Sequence, residues 1–176
     1  MKGRFSAAAL ARAGLMAALI VLCTHLSIPL PGGVPLTLQT FAIALGGFLL
    51  GPVYGTLAVA AYLLLGAAGL PVFSGFTGGV GRFFGPTGGF LWGFLPLALG
   101  CGLGRDRRSF PAALGLGLAG LLLCHLPGAA WYARSASLGF LPAAMAVSLP
   151  FLPKDAASLA LALVFARALE RRGVRL

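Results

Sequence analysis

Gly78-Gly79-Val80-Gly81-Arg82-Phe83-Phe84-Gly85-Pro86-Thr87-Gly88-Gly89-Phe90 is a glycine-dense run between two apolar spans, and Arg82 is its only charge. Glycine this dense is kept where the main chain must turn sharply or come close to another group. The arginine adds a rigid fork of donors that suits a carboxylate or a phosphate. Two readings follow: a ligand clamp beside a membrane, or a helix–helix connector whose arginine snorkels to the interface.

The flanks set the context. Of 176 residues, 59% are hydrophobic and 9% charged, against about 25% charged in a soluble domain. Apolar stretches repeat from end to end, so one transmembrane domain over 1–176 is expected, with no polar segment for a catalytic module. Breakers divide the chain into six candidate spans, 7–28, 36–50, 53–69, 88–103, 110–126 and 153–172. The fold class is therefore all-α, a polytopic membrane protein of six helices. The first stretch is basic at its start but lacks a cleavage site, which favours a retained helix. Residues 138–149 are apolar but interrupted by prolines, and read as a partly embedded approach to the last helix, or else as a seventh span.

Six spans with the amino terminus inside place Lys2, Arg4, Arg12, Arg105, Arg107, Arg108, Arg167, Arg171, Arg172 and Arg175 on the cytoplasmic side. Arg82, Arg134 and Lys154 fall outside. That asymmetry obeys the positive-inside rule. The formal charge of +10 thus fixes topology and meets anionic lipid, and nucleic-acid binding is not expected.

The run from Gly81 to Phe90, with Gly69-Leu70-Pro71-Val72-Phe73 before it, resembles the signature of the BioY family, the biotin-binding S components of energy-coupling-factor (ECF) vitamin transporters. The similarity continues in the stretch from Ile28 to Thr40 and in Leu149-Pro150-Phe151-Leu152-Pro153-Lys154-Asp155, so it covers most of the chain. One departure is Phe90, where the family commonly has tyrosine. The resemblance implies the S-component fold in a bacterial cell membrane, high-affinity capture of biotin from outside, and delivery inward with an ECF transmembrane coupling subunit and ATPase subunits. It implies no enzyme, cofactor or metal. The alternatives are an S component for another vitamin, or an oligomeric channel or structural membrane protein.

Within that frame the outer face presents an electropositive mouth suited to an anion. Arg82 is the candidate for the ligand carboxylate. Lys154 either contacts the ligand or anchors at the interface, and Arg134 reads as an anchor. Asp155 either caps the last helix as its third residue after Pro153, or accepts the N–H groups of a ureido ring. The segment from Pro29 to Pro35, stiff in its arms and pliable at Gly32-Gly33, reads as a lid. Thr37 and Gln39 either pair with the ligand or bond within the fold. Phe73, Tyr62 and Trp92 either wall the apolar part of the ligand or pack.

Other motifs point away from chemistry. Gly115-Leu116-Gly117-Leu118-Ala119-Gly120 fits the dinucleotide pattern but lies inside an apolar span with no preceding strand, which reads as helix packing. Neither lysine follows a glycine, so there is no Walker A sequence, and ATP-driven transport needs another subunit's ATPase. Cys23 with His25, and Cys124 with His125, are read as packed core residues rather than metal ligands. The three cysteines give no disulfide framework. On the first helix Ala9, Ala13 and Ala17 stand at four-residue spacing, with Ala7 and Ala11 on an adjoining line. The resemblance makes this stripe, with Arg12, a candidate docking face for the coupling subunit, while internal packing is the alternative.

Overall fold

The structure is a computed structural model that describes residues 6–28 and 34–173. Among these residues seven helices follow one another: α1 (Ala7–His25), α2 (Gln39–Ala67), α3 (Gly81–Phe84), α4 (Gly88–Gly104), α5 (Phe110–Ser135), α6 (Phe140–Val147) and α7 (Leu152–Arg171). The pair β1 (Ser27–Ile28) and β2 (Leu36–Thr37) forms a short antiparallel ribbon, with Ser27 opposite Thr37. Most of the expected lid, residues 29–33, lies outside the described residues, as do Lys2, Arg4 and Arg175.

Helix α2 reverses direction at Gly51-Pro52. Gly51 has φ 77° and ψ −178°, a conformation essentially restricted to glycine. Pro52 supplies no N–H to continue the ladder. An unbroken helix would hold residues 39 and 62 about 34 Å apart, yet Gln39 Nε2 donates to Tyr62 Oη at 2.9 Å. A Cβ on Gly55 would lie 2.8 Å from the Gly47 Cα. The two arms, 39–50 and 52–67, therefore run antiparallel in contact, and correspond to the second and third expected spans.

By length and apolarity α1, α2 and α5 can each cross a membrane, α4 is shorter at 17 residues, and α6 with α7 forms a pair bent by 52°. With α2 folded back, the chain makes six passes: α1, the two arms, α4, α5 and α7. At eight residues, α6 spans only about 12 Å, so no seventh span forms there. α5 runs nine residues beyond the expected end at Leu126, through Pro127 to Ser135.

The core joins α1, α2, α4, α5 and α7 through Ile20, Ile43, Phe48, Val59, Leu97, Leu121 and Leu159, all nearly or fully enclosed. The glycine pattern at 115–120 is packing: a Cβ on Gly120 would come within 2.8 Å of the Pro96 carbonyl oxygen on α4, and one on Gly117 would meet Phe48 and Leu159.

On α1, Ala13 and Ala17 are buried in this core and Ala9 and Arg12 are half-buried. Ala13 and Ala17 of the expected stripe thus pack internally, while Ala9 and Arg12 remain partly accessible. The exposed line of α1 carries Ala7, Ala11, Leu15, Ala18 and Leu22.

The helices set two chemically distinct ends. At one end, Arg105, Arg107, Arg108, Arg167 and Arg171 gather with Asp106 and Glu170. Arg105 Nε lies 3.9 Å from Glu170 Oε1, and Arg167 donates to the Arg107 carbonyl at 2.9 Å. The starts of α2, α4 and α7 and the closing turns of α5 meet at the other end.

Candidate functional site

That second end encloses a cavity of about 460 Å³, within the range typical of small-molecule sites. Its wall includes Thr37, Gln39, Tyr62, Phe73, Arg82, Lys154 and Asp155, bringing together seven of the eight residues expected to bind ligand. Trp92 is the exception. Its ring is half-exposed and leans on Phe83, with centroids 5.1 Å apart.

Trp92 still has a place in the architecture. Tyr62 packs edge-on to Phe73 at 5.5 Å, Phe73 to Phe83 at 5.7 Å, and Phe83 against Trp92. This aromatic ladder holds α3, the four-residue helix bearing Arg82, although a helix that short has little stability of its own. Trp131 Nε1 donates to the Gly85 carbonyl at 2.9 Å and fixes the other side of the loop. Close backbone approach explains one of the loop glycines: a Cβ on Gly88 would sit 2.0 Å from the Phe83 carbonyl oxygen. Arg82 itself is exposed and makes no ion pair among the described residues.

Across the mouth, Lys154 Nζ donates to the Thr37 carbonyl at 2.9 Å and contacts Asp155 Oδ1. The lysine therefore joins α7 to the ribbon rather than lying free at the interface. Asp155 is buried, with Oδ2 3.2 Å from His125 Nε2 on α5. Thr40 on α2 lines the same cavity. α7 starts at Leu152, one residue earlier than expected, with no side-chain cap. Asp155 is thus a fourth helical residue, in the first turn of α7, and its carboxylate also lines the cavity.

Thr37 and Gln39 have partners within the fold. The Gln39 amide N–H donates to Thr37 Oγ1 at 3.4 Å, and Gln39 Nε2 is held by the Tyr62 hydroxyl. Tyr62 is fully enclosed, and its hydroxyl supports Gln39 within the wall. The base of the lid segment, Val34 and Pro35, lines the mouth with Ser27. Arg134 is exposed and stands outside the wall, as an anchor would.

Thr40, Phe90, Phe94, Leu121 and His125 line the cavity without having been expected there. The available signal was an ionisable group inside an apolar span, which marks a functional position by default. Its partner lay thirty residues away on another helix. Phe90 sets its ring edge-on to His125 at 5.6 Å. His25, the other histidine, stacks on Phe76 at 4.1 Å.

The profile of the BioY family matches residues 1–175. The chain belongs to the BioY family. Among its relatives, a biotin transporter BioY of Thermotoga maritima is 50% identical over 120 residues, covering 68% of this chain and 70% of the relative. A probable biotin transporter BioY of Pyrococcus horikoshii is 41% identical over 139 residues, 79% and 82% of the two chains. The crystal structure of the S component for biotin from an ECF-type ABC transporter superposes with a TM-score of 0.87 at 30% identity, covering 97% of this chain and 95% of that one. This BioY chain is a membrane protein with the S-component fold.

Proposed function

We propose that the chain is the biotin-binding S component of an ECF transporter, a transport subunit and not an enzyme. It captures biotin at the outer face and hands it inward with an ATP-driven coupling module. The observation that carries this reading is the pairing of Arg82 at the rim with buried Asp155 in the wall of one cavity. Biotin has matching ends, a carboxylate on a flexible chain and a ureido ring with two N–H donors. Arg82 takes the carboxylate as a charge-assisted pair and Asp155 accepts from the ureido ring. Phe73, Phe94 and Leu121 cover the apolar middle.

The amino terminus is cytoplasmic. The arginine-rich end then faces inward, obeying the positive-inside rule, and the cavity opens outward. All of 1–176 acts as one transmembrane unit. The coupling subunit docks on the exposed Ala7 and Ala11 line of α1, whose small side chains admit a second helix closely.

Titration calorimetry of the purified protein against biotin, thiamine and riboflavin tests the assignment. Tight, saturable binding of one biotin per chain and no heat from the other two is expected. Binding of thiamine or riboflavin in preference to biotin would overturn the choice of vitamin, and no saturable ligand at all would overturn the function.

A further inference from the structure

His125 and Asp155 meet in the cavity wall at 3.2 Å, Nε2 to Oδ2, with each side chain only 7% exposed. The residue is held at both its ring and its main chain. Phe90 packs edge-on against it, and Ser148 Oγ donates to the His125 carbonyl at 3.4 Å. Nδ1 is enclosed with no hydrogen-bond partner. A proton on Nδ1 would be a buried donor facing nothing, which is costly. The proton therefore sits on Nε2, where it is donated to Asp155.

The carboxylate stands where α5 and α7 meet, with His125 on Oδ2 and Lys154 on Oδ1, and Thr40 of α2 lines the same cavity. A carboxylate accepts at about four lone-pair sites. Occupying some of them from fixed directions determines where the remaining ones point. Lys154 already holds Oδ1 and is itself tied to the Thr37 carbonyl, so His125 is what fixes Oδ2, and without it the carboxylate would pivot about its lysine contact.

The geometry points to His125 as a positioning residue that aims the Asp155 carboxylate at the ureido N–H groups, so that an imidazole never touching the ligand sets affinity for its ring end. This rests on the assignment of Asp155 to the ureido ring. It does not depend on how the valerate end is bound, since Arg82 lies on α3.

The alternative is a structural staple, a buried His–Asp pair that stabilises the bundle and leaves recognition alone. Calorimetry on five proteins separates the two: wild type, His125→Phe, His125→Gln, Asp155→Asn and the His125→Phe/Asp155→Asn double variant. His125→Phe should weaken biotin by about tenfold or more, the loss of one charge-assisted hydrogen bond. His125→Gln retains an N–H donor and should bind within about threefold of wild type. In the Asp155→Asn background His125→Phe should change affinity by less than about twofold, because coupled residues are not additive. Biotin amide should lose the same factor as biotin on His125→Phe.

Affinity of His125→Phe within twofold of wild type would overturn the role. So would an equal loss in the Asp155→Asn background, or His125→Gln binding as weakly as Phe. If the Phe variant does not fold, His125→Asn, polar but too short to reach Asp155, replaces it and must show the same loss. Wild-type protein that ignores biotin overturns the functional reading along with this role; wild type that binds, with His125→Phe unaffected, overturns only the positioning.

Discussion

Replacing Tyr62 with Phe removes one oxygen from a fully enclosed side chain of the cavity wall. Tyr62 is 0% exposed and Gln39 7%, and the hydroxyl accepts from Gln39 Nε2 at 2.9 Å across the two arms of α2. Ring packing against Phe73 survives the change, so the loss is confined to the hydrogen bond. A buried donor left without an acceptor costs about 1–3 kcal/mol. For a chain of this size that corresponds to a fall in Tm of roughly 2–12 °C. Making the partner apolar as well, in Gln39→Met/Tyr62→Phe, removes the orphaned donor, and most of the stability should return. Thermal unfolding in detergent, followed by helical circular dichroism on all three single and double variants, measures the effect. A Tyr62→Phe protein melting within 1 °C of wild type would refute the reasoning, as would a double variant that falls by the sum of the single losses.

Arg82→Ala should weaken biotin by about 1.5–3 kcal/mol, the value of a hydrogen bond to a charged group, while biotin amide, already weaker on wild type, changes little; calorimetry with both ligands would expose a merely structural loop effect as equal losses. Gly51→Ala forces a side chain into a conformation with φ 77° and should cost about 1–3 kcal/mol of stability. Its biotin affinity should stay at the wild-type value, because the reversal lies at the end of the bundle away from the cavity, and a matching loss of affinity would contradict that separation. Ala11→Trp should leave biotin binding intact and abolish co-purification with the coupling module, whereas Ala13→Trp, at a position only 5% exposed, should fail to fold. Normal assembly of Ala11→Trp would place the docking surface elsewhere.

The parts of this structure legible in the sequence are those that local chemistry decides. Gly51-Pro52 breaks a helix whatever surrounds it, so the two arms of α2 could be read in advance even though they form one uninterrupted apolar stretch. Pro127 is the counter-example, because a breaker that should have ended α5 is overridden by packing. Gly128 lies against the Phe90 ring, and Trp131, one turn further on, reaches the Gly85 carbonyl. Those contacts compensate for the missing N–H. The alanines of α1 were ambiguous for a different reason. With alanine on both faces, periodicity cannot say which line meets the core, and only the neighbouring helices decide between Ala13 and Ala11. In the cavity, cations near loop signatures were visible along the chain. The meeting of His125 with Asp155 depends on which faces of α5 and α7 oppose each other, and no spacing encodes that.

The chain has two tryptophans, and both touch the glycine loop, Trp92 through the Phe83 ring and Trp131 through the Gly85 carbonyl. Ultraviolet emission excited at the red edge of protein absorption therefore originates almost wholly at the mouth. The protein carries its own optical reporter of the Arg82 loop, one that needs no dye: a rearrangement of α3 on ligand capture alters the surroundings of both indoles, while events at the arginine-rich end leave the spectrum still.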